Sequence, residues 1–154
     1  MPSSVRVIGL TALLIAGAAP PLRHGAIVPV AHVQAQAGPV YVAYYWRARP
    51  GMERDYSAYI TGTAERIDED ARKAGAFIEV RTVLATTPAD GPAPDWTHLR
   101  IFTLADMAAV EKLGAALDAA TLRVVPDEAQ RKANSARSAG LRDLVRREVW
   151  QTLR

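Results

Sequence analysis

Side chains alternate along Val40 to Arg49, with Val40, Val42, Tyr44 and Trp46 on one side and Tyr41, Ala43, Tyr45 and Arg47 on the other. Aromatic and β-branched residues occupy both sides. That pattern predicts an interior strand covered on two faces, and Pro50-Gly51 ends it. The period then changes. From Met52 to Ala74, the residues Tyr56, Ile60, Thr63, Ile67, Ala71 and Ala74 recur every three or four positions, placing one apolar stripe on a helix. Asp68 with Arg72 and Glu69 with Lys73 stand four apart on its remaining surface, and Gly75 suits a left-handed cap.

Phe77 to Leu84 reads as a second strand. Thr86 to Asp95 contains three prolines and a glycine, too few ladder donors for regular structure, and is expected to be a flap or hairpin tip. Thr97 to Leu104 forms a third strand. Asp106 can cap a helix whose Val110, Leu113, Leu117 and Ala120 repeat at three and four, and Pro126 stops it. Asp127 to Ala139 fits a short polar helix ended by Gly140, and Leu144 to Thr152 a last strand. The order is strand, helix, strand, strand, helix, short helix, strand. This is an α+β, ferredoxin-like split βαβ arrangement with a four-stranded antiparallel sheet.

Composition divides the chain in two. Residues 1 to 37 hold no acidic residue; Arg6 precedes the apolar run Val7 to Ala19, and Ala35-Gln36-Ala37 stands before Gly38. The run is too short for a stable span, and the whole resembles a cleaved secretory leader, which implies a periplasmic or secreted protein. An earlier cut near Ala16-Gly17-Ala18, or a different start codon, fits the same residues. Residues 38 to 154 then form one domain with 17 basic and 16 acidic side chains, a net +1, because Arg6 and Arg23 lie in the leader. A near-neutral domain without a basic stripe has no nucleic-acid footprint. With no cysteine there are no disulfides, thiolate metal sites or thiol nucleophile. HExxH, GxSxG and GxGxxG are also absent, so the metalloprotease, hydrolase and dinucleotide readings lack their minimum residues.

The stretch Val40-Tyr41-Val42-Ala43-Tyr44-Tyr45-Trp46-Arg47-Ala48-Arg49-Pro50-Gly51-Met52-Glu53-Arg54-Asp55-Tyr56 resembles the opening strand, Pro-Gly corner and first helix of the dimeric α/β-barrel superfamily. That group includes antibiotic-biosynthesis-type monooxygenases and EthD-like proteins. The resemblance implies a homodimer in which two four-stranded sheets close a barrel, with helices outside it.

Strand alternation supplies candidate barrel-facing residues. Ile78, Val80, Leu99, Ile101 and Val149 are expected on the helix side; Glu79, Arg81, His98, Arg100, Phe102, Arg146 and Glu148, with Tyr45 and Arg47, are expected inside the barrel. Tyr45, Glu79, Arg81 and Arg100 would bind an anionic or quinone-like molecule there. His98 would move a proton, being the only side chain of residues 38 to 154 that ordinarily titrates near neutrality. The structural reading of the same residues makes Glu79 with Arg100 a dimer salt bridge and His98 a packing residue. Trp46, Trp96 and Trp150 lie on or beside strands and read as core or interface. Three functions fit: a small-molecule-binding, cofactor-free oxygenase-like protein; a non-catalytic dimeric envelope or stress module; and a haem-handling protein. No metal site and no resident cofactor is expected for the first.

Overall fold

The structure, a computed structural model, describes residues 38–86 and 91–153. The leader and the middle of the Pro-rich flap lie outside the described residues. Strand β1 (Val40–Ala48) is central, as its two-sided apolar pattern requires, pairing antiparallel with β3 (His98–Leu104) and with β4 (Arg142–Gln151). Strand β2 (Glu79–Leu84) adds to β3, giving the sheet order β2-β3-β1-β4.

Gly51, with φ of 79°, turns the chain out of β1. Only a residue without a Cβ takes that left-handed conformation at little cost. The helix expected over Met52 to Ala74 follows in three parts: α1 (Glu53–Tyr59), one π turn (Ile60–Ala64) and α2 (Glu65–Lys73). Gly75, with φ of 81°, ends α2 as the sequence suggests. Helix α3 (Met107–Val124) begins where the Asp106 carboxylate accepts from the Ala109 amide at 2.8 Å. Asp127 caps α4 (Glu128–Leu141) in the same way at 2.6 Å. Helix α4 runs through Gly140 instead of stopping there, and β4 starts at once, two residues before the expected Leu144.

The helices cover one face of the sheet. Val40, Val42, Phe102 and Leu104 pack there against Ala71, Val110, Leu113 and Ala120. Beside this core, Ala48, Tyr56, Ile60 and Leu141 form a second buried group with Trp46 and Tyr59 at its margin. Ala43, Tyr45 and Leu99, with Trp96, Ile101 and Val145, cluster on the other face.

The register corrects the face assignment for β3. Val42 stands opposite Phe102, Tyr44 opposite Arg100 and Trp46 opposite His98, so these three β3 residues lie on the helix side, with Leu99 and Ile101 on the open face. The cause is Phe102. Its ring is the apolar knob that the helices bury, stacked edge-on to Phe77 at 5.0 Å, and with a period of two it carries Arg100 and His98 to the same side. Glu79, Arg81, Tyr45, Arg146 and Glu148 do occupy the open face, and Val80 and Val149 the helix side.

Two ion pairs also differ from expectation. Asp68 meets Arg100, while Arg72 binds Glu69 through two contacts of 2.9 Å; Glu69 and Lys73 pair as the spacing implies, at 3.3 Å. Glu79 pairs with Arg81 at 2.6 Å and not with Arg100.

Candidate functional site

One irregularity in β4 builds the site. Tyr45 faces Arg146 but Trp46 faces Leu144, so Val145 is an extra residue in the ladder. In an unbroken strand Arg142 would share the open face with Arg146, Glu148 and Trp150. The bulge reverses that alternation and puts Arg142 on the helix side, as bulges commonly re-aim side chains. There its guanidinium lies 3.7 Å from the Trp46 ring centroid and 5.1 Å from that of Tyr56. Arg142 Nη1 donates to Tyr56 Oη at 2.6 Å. Among the described residues no carboxylate lies within ion-pair distance of Arg142.

Arg142 lines a cleft of about 660 Å³ between α2, α3, α4 and the start of β4. Trp46 and Tyr59 supply aromatic surface, Arg49 and Arg131 further positive charge, Asp118 and Asp143 negative charge, and Asn134 and Ser138 neutral hydrogen-bonding groups. Arg131 is partly committed, donating to the Val125 and Pro126 carbonyls at 2.9 and 2.6 Å, and Arg49 pairs with Asp143 at 3.1 Å. Arg142 therefore carries the least compensated charge of the three. A concave site with apolar walls and a few convergent polar groups is the usual form of a small-molecule site.

Behind the cleft lies a buried polar layer. Tyr56 is fully buried, and burial pushes its phenol above the usual range, although Arg142 opposes the shift. The His98 ring sits 4.5 Å from Tyr56 and is 2% exposed. Its Nε2 lies 3.0 Å from Ser57 Oγ and its Nδ1 2.8 Å from Thr97 Oγ1. Burial lowers the His98 pKa, against the pull of Glu53, which makes it neutral at pH 7. Next to it, Asp68 and Arg100 form a buried pair in which the desolvated carboxyl titrates above its usual range despite the cation. Arg100 Nε is buried with no hydrogen-bond partner among the described residues.

The five residues proposed from sequence as one site are thus divided between two faces. His98 and Arg100 are beneath the helices, in neither the open-face group nor the lining of the cleft. Tyr45, Glu79 and Arg81 are on the open face. Tyr45 donates to Glu148 at 3.1 Å beneath the Arg146 guanidinium, which lies 3.7 Å from its ring centroid and also binds Asp95 at 3.1 Å. Glu79 and Arg81 edge a separate hollow of about 400 Å³ with Tyr41 and Trp150. Of the cleft residues, Trp46 reads from sequence as core or interface, and Tyr59, Arg131 and Arg142 carry no sequence signal that marks a site. Arg142 precedes Leu144, where the sequence places the start of the last strand, and nothing in Arg142 to Trp150 marks Val145 as a bulge. Among the described residues, no cluster of three or more His, Asp or Glu side chains is arranged to hold a metal. No helix among them is long and apolar enough to cross a membrane.

No protein-family model and no curated protein sequence matches the chain. Solved structures do. An EthD-like protein from Ralstonia eutropha JMP134 is 14% identical, with 75% of this chain and 92% of that one covered and a TM-score of 0.49. HapK from Hahella chejuensis is 10% identical over 74% and 92% of the two chains, with a TM-score of 0.47. SnoaB, a cofactor-independent oxygenase from Streptomyces nogalater, is 11% identical over 77% and 96%, with a TM-score of 0.45.

Proposed function

We propose that this is an exported protein that binds a small planar anion, an aromatic acid or a quinone-like phenol, in the cleft between its helices and β4. The observation that carries the reading is a cleft of about 660 Å³ offering the Trp46 and Tyr59 rings together with three guanidinium groups against two carboxylates, Asp118 and Asp143, the second of which is paired with Arg49. Aromatic walls favour a flat ligand, and the cations favour its ionised form. Cofactor-free oxygenation needs a substrate whose ionised form can itself give an electron to oxygen, with the protein supplying position and proton removal. A cleft that stabilises a phenolate meets the first of those needs, so oxygenation of such a phenol is the activity proposed.

The test uses 1-hydroxy-2-naphthoate as probe, with calorimetry for binding and an oxygen electrode for turnover. Binding is expected to weaken at least tenfold in Trp46→Ala, the scale of a lost aromatic wall plus its cation–π partner. Oxygen uptake is expected above the protein-free blank. Binding without uptake removes the oxygenase activity and leaves a non-catalytic binding module; no binding removes the cleft.

We also propose that the open face is covered by a second copy. It presents Val83 at 42% and Trp150 at 37% exposure beside Tyr41 and Ile101, a large apolar area for a solvated sheet. Protein recovered from outside the cytoplasm is expected to have the intact mass of residues 38 to 154 and to scatter light as twice that mass. A full-length mass or a monomer at micromolar concentration would contradict the leader or the dimer respectively.

A further inference from the structure

Among the described residues, the guanidinium of Arg142 makes a single hydrogen bond to a side chain, and that partner is Tyr56. Tyr56 is fully buried on α1, reaches Arg142 across 86 positions of sequence, and leaves the cation's remaining donors with no carboxylate partner among the described residues. A long flexible cation in an open cleft would ordinarily sample many rotamers, and fixing it costs entropy that a ligand must offset on binding. Here three constraints fix it beforehand. The Val145 bulge brings Arg142 to the helix side, Trp46 provides a flat ring at 3.7 Å, and the Tyr56 phenol holds one edge at 2.6 Å.

We infer that Tyr56 is a positioning residue that keeps Arg142 flat over Trp46, and that this clamp makes the cleft select planar anions over neutral molecules of the same shape. The inference rests on the cleft being the ligand site and adds which residue sets its selectivity. Tyr56 itself is too deeply buried to meet a ligand and acts through Arg142. It is held in turn by the His98 ring at 4.5 Å, so His98 belongs to the support of the clamp.

The experiment compares 2-naphthoate with its uncharged methyl ester by calorimetry in the wild type, Tyr56→Phe and Arg142→Gln. Arginine side-chain NMR in the absence of ligand reads the clamp directly, with the Arg142 Nε–H signal identified by its loss in Arg142→Gln. The wild type is expected to prefer the acid by roughly tenfold, the scale of one hydrogen bond to a charged group. Arg142→Gln should abolish that preference. Tyr56→Phe should cut it to about threefold or less while ester affinity stays constant, since phenylalanine keeps the ring and loses only the acceptor. In the free protein, the same variant should move the Arg142 Nε–H signal away from its ring-shifted position. Arg142→Lys should also lose most of the preference, because an ammonium keeps the charge but cannot lie flat on the indole.

Full preference and an unmoved signal in folded Tyr56→Phe overturn the inference and leave the cleft intact as a site. A signal that moves in Tyr56→Phe, with a wild type that binds neither probe, sustains the clamp and overturns the anion reading of the cleft. Preference retained in Arg142→Gln overturns both.

Discussion

Asp68→Ala is expected to remove about 3–5 kcal/mol of the domain's stability. The Arg100 guanidinium, whose side chain is 10% exposed, would keep its charge in the interior and lose its only ionic partner among the described residues. Breaking a buried pair on one side costs about 3–5 kcal/mol, a large part of the roughly 5–15 kcal/mol that a domain this size possesses. The pair already sits near the limit of what burial tolerates. Desolvation drives the Asp68 carboxyl above its usual range in spite of the adjacent cation, and Arg100 Nε has no partner among the described residues. Removing both charges should therefore hurt far less than removing one: Asp68→Leu with Arg100→Met is expected within about 1–2 kcal/mol of the wild type, because the replacement fills the volume without a stranded ion. Urea denaturation of the two single variants and the double variant measures this directly. Equal losses in Asp68→Ala and the double variant would show that the pair carries no desolvation cost.

The order of elements was legible because period and punctuation agree along the chain. Alternation in β1, three-four spacing in α2 and α3, Gly51 and Gly75 at left-handed turns, and Asp106 and Asp127 as caps each point the same way. Which face of β3 turns inward is not legible from the chemistry of its polar residues, because the pleat is set by its largest apolar side chain, Phe102. A usable signal lay elsewhere. Asp68 falls four residues after Ala64 and three before Ala71, both buried, so a carboxylate stands in the apolar stripe and requires a cation from the facing sheet. The cleft was less legible. Its Arg142 reaches Trp46 only through a one-residue bulge, and bulges depend on how two strands meet rather than on the composition of either.

His98→Ala should cost about 2–4 kcal/mol, from a small cavity beside Tyr56 and two lost hydrogen bonds. The cost stays below that of Asp68→Ala because neither hydroxyl is stranded. Ser57 Oγ lies 2.9 Å from the Glu53 carbonyl, and Thr97 Oγ1 accepts from the Ala48 amide at 2.7 Å and lies 3.3 Å from the Trp46 carbonyl. The imidazole can be accommodated in either tautomer: the two hydroxyls donate to or accept from it in opposite senses while these backbone groups take up the remainder. Its pH signature distinguishes this structural role from proton transfer to a ligand. Above pH of about 6.5 the ring is neutral in both folded and unfolded chains and contributes no slope. Below it the unfolded chain takes up a proton that the buried ring resists, since its folded pKa is lowered by desolvation. Stability should therefore fall as the pH drops from about 6.5 towards the folded pKa and level off beneath it. Asp68, with its raised pKa, works in the other direction at lower pH, gaining stability as it protonates in the fold. The difference between wild type and His98→Gln in urea titrations from pH 7 to 5 isolates the histidine contribution, and the slope should vanish in the variant. A slope that persists in His98→Gln would assign it to another group, and unchanged stability together with lost oxygen uptake would return His98 to the role of proton carrier.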